Sequence, residues 1–299
     1  MTRLLIVVCV GALWLAGAAP ALAQDQVLFL SITDGDGVPV TDLEQDEILV
    51  QWDGEDSEIR RLESVEWPVR VTVFIDNSTG GSEAVDDIRV GMRAFLNAMP
   101  PGIEVGMLTM SGRPQWITRH TTDKGALLSD VDLVVPDTSG STYLDGLVEE
   151  AERLADDREG EYFPVIVMVA ADGPEGSGSQ QGKFETAIQR LIDASATVHT
   201  RMLSHGNTGA LQSQVGSAAA QATRGSFETL GTGSAFRTML PELGEQIARK
   251  HELVSNQYRV IYRPPSSVSA TPSISVGTTR RGLRPLPTVD GNVPVQPLR

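Results

Sequence analysis

Two apolar stretches of the sequence each end at an aspartate. Residues 69–75 read Val-Arg-Val-Thr-Val-Phe-Ile and are followed by Asp76 and, two positions later, by Ser78. Residues 163–171 are apolar as well and are followed by Asp172. Because ligands usually bind at the carboxyl edge of an open α/β sheet, we expect these side chains to lie at one shared edge. Their carboxylate and hydroxyl oxygens are the hard ligands that Mg²⁺ and Ca²⁺ prefer.

A third segment supplies a further hydroxyl. Residues 140–147 read Gly-Ser-Thr-Tyr-Leu-Asp-Gly-Leu, and Thr142 opens a helix predicted at 142–157. In this order, the three segments resemble the metal-ion-dependent adhesion site of the von Willebrand factor A domain. The pattern of that family is Asp-x-Ser-x-Ser after the first strand, a Thr before a helix, and an Asp-Gly after a later strand.

The resemblance assigns metal ligands residue by residue, with one departure. Asp76 and Ser78 match the first motif, Thr142 matches the second and Asp172 matches the third. Gly80 stands where the family has its second Ser, so one direct hydroxyl ligand is missing. We expect water to take that position and the metal affinity to be weaker, since Mg²⁺ sites commonly keep several waters.

The resemblance also implies a function. A site of this kind holds Mg²⁺, or Mn²⁺ or Ca²⁺, and leaves one coordination position for a Glu or Asp carboxylate of a partner protein. We therefore expect a non-enzymatic, metal-dependent adhesion module in which Asp76 and Asp172 act partly through waters. The alternative is a metal-free structural or assembly module of the same fold.

An enzymatic interpretation starts from the same strand. Aspartyl-phosphate hydrolases also end a first strand on a nucleophilic Asp, which would be Asp76 here. They need a second Asp two residues later, where this chain has Ser78. The sequence also lacks the Gly-x-Ser-x-Gly elbow of serine hydrolases, so we expect no catalytic activity.

Composition limits the partners. Lys and Arg number 24 against 39 Asp and Glu, which gives a formal net charge of −15. Such a surface repels phosphate backbones, and no Lys/Arg cluster with interleaved aromatics is present, so nucleic acid is not an expected partner.

The start of the chain resembles a secretory signal. Arg3 supplies positive charge, residues 4–15 are apolar, and Ala21-Leu22-Ala23 is a small-x-small cleavage site. The apolar run is shorter than the roughly 20 residues that a membrane-spanning helix needs. We therefore expect export to the periplasm or the extracellular space, with no membrane segment in the cleaved chain.

The remaining sequence predicts an α/β fold with a β addition. From residue 67, apolar strands alternate with amphipathic helices, which favours a mainly parallel sheet. Their count and order are similar to the A domain, an open, doubly wound, Rossmann-like sheet of six strands with one antiparallel edge strand. Residues 36–43 and 257–264 are similar to the termini of a secreted bacterial von Willebrand factor A-related family.

These observations divide the chain into five predicted regions. They are a signal peptide at 1–23, an N-terminal β module at 24–66, the A domain at 67–257, C-terminal strands at 258–285 and a loose tail at 286–299. We expect the N-terminal β module and the C-terminal strands to pair into one small β domain built from both ends of the chain.

Overall fold

The computed structural model describes residues 24–157, 160–178, 181–206, 210–265 and 273–294. The predicted signal peptide at 1–23 lies outside these ranges. Within them, no helix combines the length and apolarity needed to span a bilayer.

Thirteen strands are present in the described ranges. They are β1 (Gln26–Thr33), β2 (Ile48–Trp52), β3 (Glu55–Asp56), β4 (Glu58–Val65), β5 (Val69–Ile75), β6 (Glu104–Thr109), β7 (Gln115–Thr121), β8 (Phe163–Ala171), β9 (Thr197–Leu203), β10 (Phe227–Leu230), β11 (Gln257–Arg263), β12 (Ile274–Thr278) and β13 (Arg284–Thr288).

Six α-helices alternate with the central strands in the same ranges. They are α1 (Val85–Ala98), α2 (Lys124–Asp130), α3 (Tyr143–Asp156), α4 (Gln181–Asp193), α5 (Leu211–Ala222) and α6 (Phe236–Val254).

The central sheet has six strands in the order β10-β9-β8-β5-β6-β7. All neighbours are parallel except β6 and β7, which are antiparallel and place β7 at an edge. Every residue of β8 is buried, as expected for a strand covered by helices on both faces. The predicted open, mostly parallel six-stranded sheet is confirmed.

Alternation along β5 divides the core into two layers. Val71, Val73 and Ile75 join the cluster that contains α1 and α6 residues, whereas Phe74 joins the cluster formed with α3, α4 and α5. Both faces of β5 are covered by these clusters. The position of Asp76, which directly follows the strand, is therefore fixed by the packing of β5.

The two ends of the chain pair with each other. A four-stranded sheet has the order β13-β1-β11-β4, and a smaller sheet has the order β12-β2-β3. Their shared apolar core includes Leu30, Val50 and Val260. The predicted β addition built from N- and C-terminal segments is therefore confirmed.

The segment predicted as a loose tail at 286–299 is largely ordered within the described residues. Strand β13 pairs with β1, with Thr288 opposite Phe29. Asn292 and Val293 are buried, and residues 295–299 lie outside the described ranges. The prolines that suggested a tail are tolerated because β13 is an edge strand, where a missing N–H need not pair.

Candidate functional site

Asp76 directly follows β5 and is almost fully buried, with 1% of its surface exposed. Its backbone N–H donates to the Val169 carbonyl at 2.8 Å. Carboxylate Oδ1 accepts from the Ser78 N–H at 2.9 Å, and Oδ2 accepts from the Ala171 N–H at 3.1 Å. Burial raises the pKa of Asp76, and the hydrogen bonds from Ser78 and Ala171 oppose that rise.

Two buried hydroxyls lie beside this carboxylate. Ser78 and Ser141 are both fully buried, and both hydroxyls are close enough to Asp76 to favour its charged form. Apart from this contact with Asp76, neither Oγ atom has a hydrogen-bond partner within the described residues. No protein donor uses the lone pairs of the two hydroxyls, so both oxygens stay available to a ligand.

Thr142 is the N-cap residue of α3 and makes no side-chain cap hydrogen bond. Its N–H and its hydroxyl both donate to the Met110 carbonyl, at 2.8 and 2.7 Å. Because the hydroxyl proton is used in this way, the lone pairs of Thr142 Oγ1 stay available to a cation.

Asp172 is buried at the end of β8, but its carboxylate is held by the end of β9. Oδ2 accepts from the Ser204 hydroxyl at 2.9 Å, and Oδ1 accepts from the His205 N–H at 2.7 Å. The His205 ring nitrogen Nδ1 is also 3.0 Å from Oδ1. Asp172 is linked to Asp76 through its neighbour Ala171, which donates to the Asp76 carboxylate.

The structure therefore brings the three motif-bearing segments together at the carboxyl edge of the sheet. The loop after β8 is fixed to the start of α3, since the Ser141 N–H donates to the Pro174 carbonyl at 2.9 Å and the Gly176 N–H donates to the Ser141 carbonyl at 2.6 Å. Glu175 of the same loop accepts backbone hydrogen bonds from Tyr143 and Leu144 in the first turn of α3. Burial raises the pKa of Glu175, and these hydrogen bonds and the helix dipole oppose that rise.

Ser141 was not among the ligands that the motif comparison assigned. The sequence signal was present, because Ser141 immediately precedes Thr142 in the same hydroxyl-bearing segment. The family pattern names only the Thr, and adjacency alone does not show which hydroxyl approaches Asp76.

Gly80, which stands where the family has its second Ser, packs against the backbone of Gly173. A Cβ atom on Gly80 would lie 2.8 Å from Gly173 Cα, and one on Gly173 would lie 2.6 Å from Gly80 Cα. The two loops thus meet backbone to backbone, and a side chain at position 80 would require one of them to shift.

The oxygens at this edge fit a hard divalent cation. Within the described ranges, no group of three or more His, Cys, Asp or Glu side chains is placed to hold a metal ion. Asp76 and the hydroxyls of Ser78, Ser141 and Thr142 form another kind of ligand set, with one carboxylate and three neutral oxygens. Mg²⁺ accepts such oxygens together with water.

Comparison with known structures identifies the fold. A von Willebrand factor type A protein from Catenulispora acidiphila aligns with a TM-score of 0.51 and 10% identity, over 87% of this chain and 72% of that one. The human COPII-coat protein Sec24c aligns with a TM-score of 0.50 and 11% identity, over 75% of this chain and 43% of that one. No family model and no curated protein matches the sequence. At these identities the likeness concerns the fold alone, and the central domain of this chain has the von Willebrand factor type A fold that its motifs predict.

Proposed function

We propose that this chain is an exported, non-enzymatic protein-binding module that engages a partner carboxylate through a divalent cation at the carboxyl edge of its central sheet. The observation that supports the proposal best is the pair of buried hydroxyls of Ser78 and Ser141, which lie beside the Asp76 carboxylate and have no other partner within the described residues. Three polar groups gathered in one buried place lose their hydration, and a ligand that uses their oxygens would offset that loss.

Each residue has a distinct role in this proposal. Ser78, Ser141 and Thr142 supply neutral oxygens, and Asp76 supplies negative charge. Asp172, held by Ser204 and His205, acts through water and fixes the loop after β8. When bound, Mg²⁺ would supply a positive centre with an open coordination position that a Glu or Asp carboxylate completes.

Because the protein is strongly acidic, it needs a bound cation to attract the carboxylate of a partner. With a formal net charge of −15, the surface as a whole repels an acidic partner. Neutral hydroxyl ligands hold a cation without cancelling its charge, so attraction is restored at short range. Binding should therefore depend on the metal and should not occur in its absence.

A metal-free structural or assembly module is the second candidate, and one observation favours it. The backbone contact between Gly80 and Gly173 occupies the place of a direct hydroxyl ligand. In that case the carboxyl edge would bind its partner through loop surfaces alone, and chelators would have no effect.

Calorimetric titration with MgCl₂ and with MnCl₂ separates the two candidates. The native chain should give a saturable heat that Asp76→Ala abolishes. Asp46→Ala, which removes an exposed carboxylate of the N-terminal module, should titrate like the native chain. Equal absence of heat in the native chain and in Asp76→Ala would contradict the metal-dependent proposal and leave the metal-free module.

A further inference from the structure

A cavity of about 390 Å³ opens at the opposite, amino edge of the central sheet, between α3 and β7. Arg70 and Pro164, the second residues of β5 and β8, lie in its wall. The cavity is therefore separate from the candidate metal site, which lies at the carboxyl ends of the same strands. Nothing in the proposed adhesion function uses it.

One wall is built from an indole and two guanidinium groups. The guanidinium carbon of Arg119 is 4.6 Å from the centre of the Trp116 ring, and that of Arg153 is 4.7 Å from it. Gly106 on β6 makes room for this wall, because a Cβ atom there would be 2.7 Å from Trp116 Cζ3. Cation–π contact holds both cations in defined positions at the cavity.

The two arginines of this wall differ in their partners. Arg153 forms an ion pair with Glu150, with Nη2 and Oε2 2.7 Å apart. Its Nε, Nη1 and Nη2 atoms are all buried, so the guanidinium of Arg153 serves Glu150 and the wall rather than the open part of the cavity. Arg119 is exposed and has no carboxylate partner among the described residues. The guanidinium of Arg119, held over the Trp116 ring without a carboxylate partner, therefore favours a ligand that accepts hydrogen bonds from a cation.

Arg70, the third arginine of the lining, already has carboxylate partners. Arg70 pairs with Glu104 at 2.7 Å and with Asp157 at 3.3 Å, and its guanidinium carbon lies 3.9 Å from the centre of the Tyr162 ring. Because Arg153 is paired with Glu150, Arg119 is the cation of the described lining that stays open to a ligand.

The carboxylates and the histidine of the wall limit the charge of that ligand. Glu150 is buried and accepts the Thr72 hydroxyl at 2.7 Å, and Asp157 accepts the Tyr162 hydroxyl at 2.8 Å. His120 adds no positive charge near neutral pH, because burial and nearby Arg70 lower its pKa to about 4. Arg70 is paired with Glu104 and Asp157, and Arg153 is paired with Glu150, so one guanidinium, that of Arg119, is left without a carboxylate partner among the described residues. One such cation suits a single negative charge, and a dianion would meet repulsion from Glu150 and Asp157.

We propose that this cavity binds a small organic monocarboxylate. Its carboxylate lies against the guanidinium group of Arg119, and its apolar part lies against Leu154 and Pro164. Guanidinium groups match the planar, two-oxygen geometry of a carboxylate, which favours this anion over a tetrahedral one. The cavity volume and its mixture of aromatic and aliphatic lining favour a ring or a short alkyl chain as the apolar part.

Calorimetry with sodium benzoate tests this proposal on the full chain. A chelator is kept in the buffer so that a metal at the other edge cannot hold the probe. The native protein should bind benzoate saturably, and Arg119→Gln should weaken binding about tenfold or more, since a hydrogen bond to a charged group is lost. Because Arg119 is exposed, this variant should keep the fold, which its circular dichroism spectrum and melting temperature would verify.

Three controls sharpen the test. Arg113→Gln removes another exposed arginine and should leave benzoate binding unchanged. Benzamide, which has the same shape without the charge, should not bind, and phenyl phosphate should bind more weakly than benzoate. Absence of benzoate binding, equal binding by native chain and Arg119→Gln, or tighter binding of either control compound would each overturn the proposal.

Discussion

The backbone of Gly80 lies directly against that of Gly173, so the loops that follow β5 and β8 touch without side chains between them. A Cβ atom added to Gly80 would meet Gly173 Cα at 2.8 Å and Gly173 N at 3.1 Å. Both neighbours are backbone atoms, which cannot rotate away as a side chain does. The departure from the family motif at position 80 is therefore built into the packing of the site.

Restoring the motif with Gly80→Ser should therefore fail. We expect the variant to lose about 1–3 kcal/mol of unfolding free energy, as overpacked sites do, and to gain no affinity for Mg²⁺. Gly35→Ser is the matched control, because a Cβ atom there would have nothing within 4 Å. Urea denaturation and calorimetry measure the two effects. A stable Gly80→Ser variant with tighter Mg²⁺ binding would show that the loops separate easily.

Ser141→Ala should separate stability from metal binding. Because the Ser141 hydroxyl contacts only the Asp76 carboxylate in the described ranges, its removal should change the unfolding free energy of the metal-free chain by no more than about 1 kcal/mol. The same change should weaken Mn²⁺ binding.

The control for Ser141→Ala is Ser255→Ala, whose hydroxyl donates to the Trp67 carbonyl at 2.9 Å. That variant should lose about 1 kcal/mol of unfolding free energy and keep its metal affinity. If Ser141→Ala destabilised the metal-free chain and left Mn²⁺ binding intact, the hydroxyl would have a structural role only.

His199 should make the fold sensitive to acid. Burial, with nearby Arg201 and Lys250, lowers its pKa from 6.5 to about 3. As pH falls below 6.5 the unfolded chain takes up the proton first, so the contribution of His199 to stability is complete above 6.5 and is lost towards 3. The slope is about 1.4 kcal/mol per pH unit within that window.

Urea denaturation of the native chain and of His199→Asn, at pH values between about 7 and 5, measures this slope. Other titrating groups are common to both proteins and cancel in the difference. The native chain should lose stability more steeply than the variant as the pH falls. Parallel curves would mean that His199 keeps an ordinary pKa in the fold.

Asn292 should be essential to the C-terminal segment. It is buried, its Oδ1 accepts from the Lys250 ammonium and from Thr197 Oγ1 at 3.1 Å, and its Nδ2 donates to the Ala196 carbonyl at 3.2 Å. Asn292→Ala should cost about 3 kcal/mol, because a buried ammonium loses an acceptor. Asn256→Ala, which removes an exposed bond to the Glu252 carbonyl, should cost far less. Equal denaturation midpoints would contradict this role.

The strands that the sequence predicted best are those covered on both faces. β5 and β8 are apolar runs whose ends coincide with Asp76 and Asp172, and burial on both sides leaves no other assignment for such runs. Strand β4 was not recognised, because Glu-Ile-Arg-Arg-Leu-Glu-Ser-Val is rich in charge. Its position at a sheet edge explains this composition, since Glu63 pairs there with Arg61 and with Arg259 of β11.

The candidate site was also only partly predictable from the sequence. The order of the motifs predicted that the segments bearing Asp76, Thr142 and Asp172 share one edge, because parallel strands carry their ends to the same place. The sequence does not show that Ser141 approaches Asp76, since the segment is held in place by the bonds that the Thr142 N–H and hydroxyl donate to the Met110 carbonyl. Nor does it show that Asp172 is held by residues more than 30 positions away.

The most direct test of the account is a crystal of the chain soaked in MnCl₂ and measured for anomalous scattering. The account predicts one strong peak at the carboxyl edge of the central sheet, within about 2.5 Å of oxygens from Asp76, Ser78, Ser141 or Thr142. A native crystal with no peak there, or with Mn²⁺ bound only at surface carboxylates elsewhere, would contradict it.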